Sequence, residues 1–168
     1  SQFSNEILLR KQQWLETIKT DPEWILNLDA DEIFEDQFKY EIRQLTDISD
    51  VYVYNFRLFD FWDEKHYRED QFWCAHRYYR PFLARYNRNF NYIWNEQPQH
   101  CGRFPVNILE LPNRTSELRL KHLGWARETD RLEKYHRYKR LDPGSVYGLK
   151  GQYESILDHK PVLIKWVE

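Results

Sequence analysis

The sequence has few cysteines, little net charge and no long apolar run, and each of these absences excludes some classes of protein. Cys74 and Cys101 are too few for a disulfide framework, and nothing around them matches a cysteine metal site. A net charge of −2 gives no electrostatic basis for binding nucleic acid or an anionic membrane. No run approaches the roughly 20 apolar residues that span a bilayer, and the polar first residues do not resemble a signal peptide. We therefore expect a cytoplasmic protein without a transmembrane segment.

The length of the chain indicates one domain. A chain of 168 residues is long enough for a single core and too short to predict two. With 10 Phe, 12 Tyr and 7 Trp, it is rich in aromatic rings, which both stack on sugars and fill cores. We predict a single domain over residues 1–168, with most rings in the core or at its rim.

The most informative stretch is an apolar run that ends in carboxylates. Residues 24–28 follow Asp21-Pro22 and predict a strand buried on both faces. In an open α/β sheet, ligands bind beyond the carboxyl ends of the strands, which is where Asp29 and Asp31 would lie. In a strand these two side chains would point to the same side, and a divalent cation would relieve their repulsion. A solvated acidic turn is the alternative; the position after a buried strand favours a metal site.

Hydrophobic periodicity predicts an alternation of helices and strands, and hence an α/β fold. Apolar residues at helical spacing predict four helices, the first capped by Ser4, over residues 4–19, 35–45, 128–140 and 152–157. Strand-like alternation is found over residues 50–62, 77–86, 89–94 and 117–123. The charged residues 63–70 and the proline-rich residues 95–113 are predicted to be loops.

Two further residues are candidates for a site. His122 ends a predicted strand on its inward side, immediately before Gly124. A lone inward histidine is more often a core residue than a ligand, so both interpretations stay open. Glu96 opens an irregular loop after the strand-like residues 92–94, and taken singly it is an ordinary loop carboxylate.

Three segments together resemble a known family. The sequence WILNLDADEIFE, from Trp24 to Glu35, resembles the Asp-x-Asp segment of family 2 glycosyltransferases with the GT-A fold, and most closely that of bacterial members with Asp-Ala-Asp-Glu. KHLGW at 121–125, followed by a charged helix, resembles the His-x-Gly-Trp element of the same group. Trp94-Asn95-Glu96 occupies the place of the family's base.

This resemblance extends from about residue 5 to residue 138 and implies a GT-A-like mixed sheet flanked by helices. The family's domain begins with a strand–helix–strand portion that holds the nucleotide, and this chain has no counterpart to it. The resemblance therefore implies that residues 1–168 are the C-terminal portion of a glycosyltransferase catalytic domain. On its own, such a portion is not expected to be fully active.

The resemblance also implies a reaction, the metal-dependent, inverting transfer of a sugar from a nucleotide-diphosphate sugar to an acceptor hydroxyl. Asp31 would be the main ligand of Mn²⁺ or Mg²⁺ and His122 an added ligand, which favours manganese because imidazole suits it better. Asp29 would contact the ribose or the metal. Glu96 would be the catalytic base. Arg10 would reach the nucleotide, with a solvated helix arginine as the alternative.

Two other functions compete with this one. Phosphatases and phosphotransferases of the haloacid dehalogenase type also place Asp-x-Asp after a strand, but they need a threonine where this chain has Ile33. The non-catalytic alternative is a structural or sugar-binding fragment, which the missing nucleotide-binding portion favours. Trp125 is a candidate for stacking on a sugar, with core packing as the alternative.

Overall fold

The computed structural model describes residues 5–168 and confirms the α/β class. The helices in these residues are α1 Glu6–Ile18, α2 Phe38–Thr46, α3 Glu128–Leu141 and α4 Lys150–Ser155. The strands are β1 Trp24–Leu26, β2 Glu32–Phe34, β3 Val53–Asp60, β4 His66–Arg68, β5 Tyr79–Arg85, β6 Asn113–His122 and β7 Leu163–Lys165.

Five of the strands form one sheet in the order β1-β5-β3-β6-β2. The pairings at its two edges are antiparallel, with Ile25 opposite Ala84 and Glu32 opposite His122. Strands β4 and β7 form a separate antiparallel pair. The prediction of an inner strand around residues 50–62 is confirmed, because β3 occupies the middle of the sheet and only Arg57 of its residues is not buried.

Several predicted elements are wrong. Residues 24–28 are not a strand buried on both faces, because β1 ends at Leu26, lies at the sheet edge and leaves that leucine 41% exposed. The predicted helix 35–45 starts only at Phe38, after β2. The predicted loop 63–70 contains β4, whose partner β7 lies much later in the sequence. The predicted strand over residues 89–94 does not form. The sequence patterns did not predict strands β2 and β4, because each forms by pairing with a strand far away in the sequence. The hydrophobic pattern of a short segment does not reveal such a partner.

The first helix is close to its prediction. Asn5 is the N-cap residue, and its side chain accepts a hydrogen bond from the Leu8 N–H at 3.4 Å; the predicted cap, Ser4, lies outside the described residues. Trp14 is buried, whereas the apolar side chain of Leu8 is 63% exposed. The buried stripe of the helix is therefore narrower than the spacing of its apolar residues predicts.

The described chain divides into two compact units, each made of separate segments. The first unit contains the residues up to Leu28, Lys39–Phe56 and Arg80–Glu117; the second contains Asp29–Phe38, Arg57–Tyr79 and Leu118–Glu168. The core of the first unit consists of Trp14, Ile25, Val53, Ala84, Phe104, Ile108 and Leu111. An aromatic core in the second unit consists of Trp62, Trp73, Trp125, Tyr153 and Ile156. The assignment of residues 1–168 to one domain stays a prediction.

Asp142 organises the turn that ends α3. Its carboxylate accepts hydrogen bonds from the backbone N–H groups of Val146, Tyr147 and Gly148, at 2.7, 3.1 and 3.1 Å, and from the Tyr153 hydroxyl at 3.1 Å. Desolvation raises the pKa of Asp142, but these hydrogen bonds outweigh it and hold that pKa below its ordinary value. The ionised carboxylate therefore stabilises the turn.

We expect Asp142→Asn to lower the free energy of unfolding by about 1–3 kcal/mol at pH 7, because the amide has one acceptor oxygen and turns an NH₂ group toward N–H donors. Urea unfolding measures this change, with the exposed Asp47→Asn as a control of little expected effect. Because the folded pKa is lowered, the wild-type advantage is present above the ordinary aspartate pKa and is lost as the pH falls through the folded value. Equal stability at pH 7 would contradict the assignment.

Candidate functional site

The pairing of β2 with β6 brings two distant segments together within the second unit. Glu32 lies opposite His122 in this register, and the Leu123 N–H donates to the Asp31 carbonyl at 2.7 Å. As a result, Asp31 Oδ2 lies 3.4 Å from His122 Nε2. The acidic segment and the His-Leu-Gly-Trp segment, which carry the family resemblance, therefore meet at one end of these strands.

The acidic residues themselves lie in a turn and not in a strand. The Glu32 N–H donates to the Asp29 carbonyl at 3.0 Å, and the Asp29 N–H donates to Glu32 Oε2 at 2.8 Å. The argument that Asp29 and Asp31 share one face of a strand is therefore wrong, because the alternation of side chains applies only to extended backbone. In this turn it is the Asp31 side chain that contacts His122.

His122 lies between two carboxylates. Its Nδ1 is 2.7 Å from Oδ1 of Asp60, a buried residue at the end of β3. Burial lowers the pKa of the imidazole, but the hydrogen bonds to Asp31 and Asp60 outweigh this effect and raise the pKa of His122 to about 9. The hydrogen bond from His122 in turn holds the pKa of Asp31 well below its usual range, although desolvation opposes it. At neutral pH the ring is an imidazolium.

A second cation reaches the same carboxylate from helix α3. Lys134 Nζ lies 3.2 Å from Asp31 Oδ2. Gly124 lies against these groups, and a Cβ atom there would clash with the Asp31 and Lys134 side chains and come within 2.9 Å of His122 Nε2. Only glycine leaves room for this arrangement. We call Asp31, Asp60, His122 and Lys134, with Gly124 between them, the charged cluster.

Trp125 belongs to the core and does not offer a face for a sugar. It is 6% exposed and packs against Trp62 and Trp73, with ring centroids 6.5 and 4.9 Å away. Lys134 Nζ lies 4.3 Å from the centroid of the Trp125 ring. The alternative that the sequence left open, core packing, is therefore the correct one for this tryptophan.

Two of the predicted site residues lie in the first unit. Arg10, on α1, forms an ion pair with Glu6 at 3.4 Å. Glu96 lies in an irregular loop, its side chain is 67% exposed, and Lys11 Nζ is 2.5 Å from its Oε1. Asp29, Asp31 and His122 belong to the second unit, where the structure joins Asp31 to His122. The roles of Arg10 and Glu96 stay predictions.

Sequence reasoning missed three members of the charged cluster. Asp60 carried a signal, since it is an acidic residue on a largely apolar inner strand, where a carboxylate needs a partner. Lys134 lies in the helical segment that resembles the family, but no role was assigned to it. The sequence around Gly124 did not indicate that this glycine packs against charged side chains, because those side chains come from three separate elements.

The side chains of the charged cluster provide only some of the ligands that a divalent cation needs. Asp31 Oδ2 and His122 Nε2 are 3.4 Å apart, wider than the roughly 3.0 Å between two neighbouring octahedral ligands about 2.1 Å from one ion. The hydrogen bond that Nδ1 of His122 donates to Asp60 is the support that metal-bound histidines usually have. In residues 5–168, however, no group of three His, Cys, Asp or Glu side chains could hold a metal ion. A cation would therefore need substrate oxygens, and its binding would release the imidazolium proton.

The chain was also compared with known proteins. Searches against protein-family models, curated proteins and solved structures found no match. Within residues 5–168, none of the helices has the length and apolar character required to cross a bilayer. The residues and geometry of the charged cluster are therefore the main indication of function.

Proposed function

We propose that this chain is part of a family 2-like glycosyltransferase of the GT-A type, transferring a sugar from a nucleotide-diphosphate sugar to an acceptor hydroxyl. One observation supports this proposal above the others. The acidic segment and the His-Leu-Gly-Trp segment, two of the three that resemble the family, are far apart in the sequence, yet Asp31 and His122 lie 3.4 Å apart at the ends of paired strands. A chance resemblance in two segments would not require them to meet.

In this proposal Asp31 and His122 hold a divalent cation, Mn²⁺ in preference to Mg²⁺ because of the imidazole. When bound, such a cation supplies Lewis-acid neutralisation of the leaving diphosphate. Asp60 positions His122 through Nδ1, and Asp29 contacts the ribose of the donor. The two phosphates of the donor supply the oxygen ligands that the protein lacks.

By the family resemblance alone, two residues of the first unit would also have roles. Glu96 accepts the proton of the acceptor hydroxyl as its oxygen attacks the anomeric carbon, which inverts the configuration without a covalent intermediate. A positioned base of this kind contributes about 10²–10⁴-fold to the rate. Lys11 contacts Oε1 of Glu96, and Oε2 would be the oxygen that accepts the proton. Arg10 contacts the nucleotide.

A non-catalytic fragment is the second candidate, and one observation favours it. The charges of the cluster compensate one another, because Lys134 and His122 both contact Asp31 while Asp60 contacts His122. An ion network of this kind also occurs as a purely structural feature. Binding measurements separate the two candidates.

The test is isothermal titration of the 168-residue chain with Mn²⁺ and with UDP, GDP or CDP in the presence of Mn²⁺. We expect saturable binding that weakens at least about tenfold in Asp31→Asn, because a ligand carboxylate is lost. Asp36→Asn, an exposed aspartate of the same unit, is the control and should bind as the wild type does. A wild-type chain that binds neither Mn²⁺ nor any of these nucleotides would favour the fragment.

A further inference from the structure

The loop between α3 and α4 presents apolar side chains to solvent. Val146 is 78% exposed, Leu149 is 64% exposed, and Tyr147 between them is exposed as well. Single apolar residues at a protein surface are common, but three of them within four residues indicate an interaction site. A side chain with most of its surface in solvent projects from the molecule, so these residues form a protrusion. We call residues 146–149 the apolar loop.

The exposure of the apolar loop is built into its structure. The backbone N–H groups of Val146, Tyr147 and Gly148 all donate to the buried Asp142 carboxylate, which holds the loop backbone against the protein. Gly148 packs so closely on Tyr153 that a Cβ atom there would clash with the tyrosine hydroxyl. Because the backbone is fixed inward, the apolar side chains remain outside, and a partner that binds them has little loop entropy to remove.

Cations flank the apolar loop on both sides in the sequence. Lys139 and Arg140 are exposed at the end of α3, and Lys150 begins α4 immediately after the loop. Lys150 lies 3.8 Å from Glu154, but exposed pairs of this kind are weak. Residues 135–150 contain four Lys and Arg residues and a single acidic residue, which is buried. This part of the second unit is therefore basic, although the whole chain has a net charge of −2. We call Lys139, Arg140 and Lys150 the flanking cations.

We propose that the apolar loop and the flanking cations dock this chain on the surface of an anionic lipid bilayer, with the apolar side chains inserted between headgroups that the cations bind. The charge of this surface favours an anionic partner. Protruding apolar side chains enter a bilayer interface without a matching pocket, and Tyr147 suits the same place because an amphipathic ring prefers the boundary between lipid and water. The inference goes beyond the proposed function, since it involves no residue of the charged cluster.

Cosedimentation of the 168-residue chain with lipid vesicles tests the insertion of the apolar loop. We expect the chain to bind vesicles of phosphatidylcholine and phosphatidylglycerol in equal parts, and to bind phosphatidylcholine alone weakly. Leu149→Ser should weaken binding about tenfold, because an inserted apolar side chain is lost. Leu15→Ser is the matched control, since Leu15 is 55% exposed on α1 in the first unit. It should bind as the wild type does.

A second pair of variants tests the flanking cations. Lys139→Gln should weaken binding to the anionic vesicles about fivefold, the contribution of one cation near a charged membrane. Lys19→Gln, at an exposed lysine of the first unit, should leave binding unchanged. Added salt should weaken binding of the wild type, because it screens these charges. All of these positions are exposed, so we expect each variant to unfold in urea as the wild type does.

Three results would overturn the proposal. The first is a wild-type chain that stays in the supernatant with the anionic vesicles. The second is equal binding of Leu149→Ser and the wild type, because the apolar loop would then not enter the bilayer. The third is a chain that binds no vesicles but forms a dimer in sedimentation velocity that Leu149→Ser disrupts, since the loop would then be a contact between protein chains.

Discussion

Replacing Arg68 with methionine should lower the free energy of unfolding by about 2–4 kcal/mol, because it removes the buried guanidinium from an ion network whose carboxylates are partly exposed. Arg68 ends β4 and is 2% exposed. Its guanidinium donates to the Asp70 carboxylate at 2.7 Å, to the Ser155 carbonyl at 2.7 Å and to the Asp158 carboxylate at 2.5 Å. Methionine preserves much of the side-chain volume but supplies no donor to any of these oxygens.

The aromatic core of the second unit increases the expected loss. The Arg68 guanidinium lies 4.6 Å from the Trp62 ring and 5.1 Å from the Trp73 ring. Cation–π attraction is strongest where the cation is withdrawn from water, as it is here. The variant loses this attraction together with the hydrogen bonds, so its effect should exceed that of any exposed ion pair in the chain.

Urea unfolding, monitored by tryptophan fluorescence, tests this prediction. Arg77→Met is the control, since Arg77 is exposed and forms a single ion pair with Glu69 at 2.7 Å. Exposed pairs of this type contribute little to stability, so we expect no measurable change in that variant. If Arg68→Met unfolds at the wild-type urea concentration, the network does not stabilise the second unit.

His122 should titrate near pH 9 in the metal-free protein, well above an ordinary histidine. Asp31 and Asp60 face its two ring nitrogens and favour the imidazolium, while burial and Lys134 oppose it. Nuclear magnetic resonance of the imidazole carbons, with a chelator present, follows this titration directly. His76 provides an internal control of opposite sign, because burial lowers its pKa.

The raised pKa also predicts how stability depends on pH. In the unfolded chain a histidine has a pKa of about 6.5, so the contribution of the His122 imidazolium to stability is fully present below that pH. The contribution, about 3 kcal/mol, should be lost as the pH rises through about 9. The difference in unfolding free energy between the wild type and His122→Gln, measured at pH 6 and near pH 10, isolates it. An imidazole titrating near 6.5 would exclude the paired arrangement.

The hydrophobic pattern of a segment was sufficient to predict the strands that bury one or both faces along their length. Inner strand β3 and strand β6 were predicted within a few residues, because hydrophobic periodicity reports which side chains are buried. Helix α3 was also predicted within a residue at each end, although none of its residues is buried. Strand β2 and the β4–β7 pair were missed, because each is too short to show a period and depends on a partner elsewhere in the chain.

The same division applies to the candidate site. The sequence by itself determined that Asp31 and His122 were the residues to consider, since each lies in a segment with recognisable chemistry. Only the tertiary structure decided that the two meet, that Asp60 and Lys134 join them, and that Trp125 is buried. The physical reason is that charge pairing and burial depend on distances between residues far apart in the chain. Such distances are set by strand register and helix packing, which no short stretch of sequence encodes.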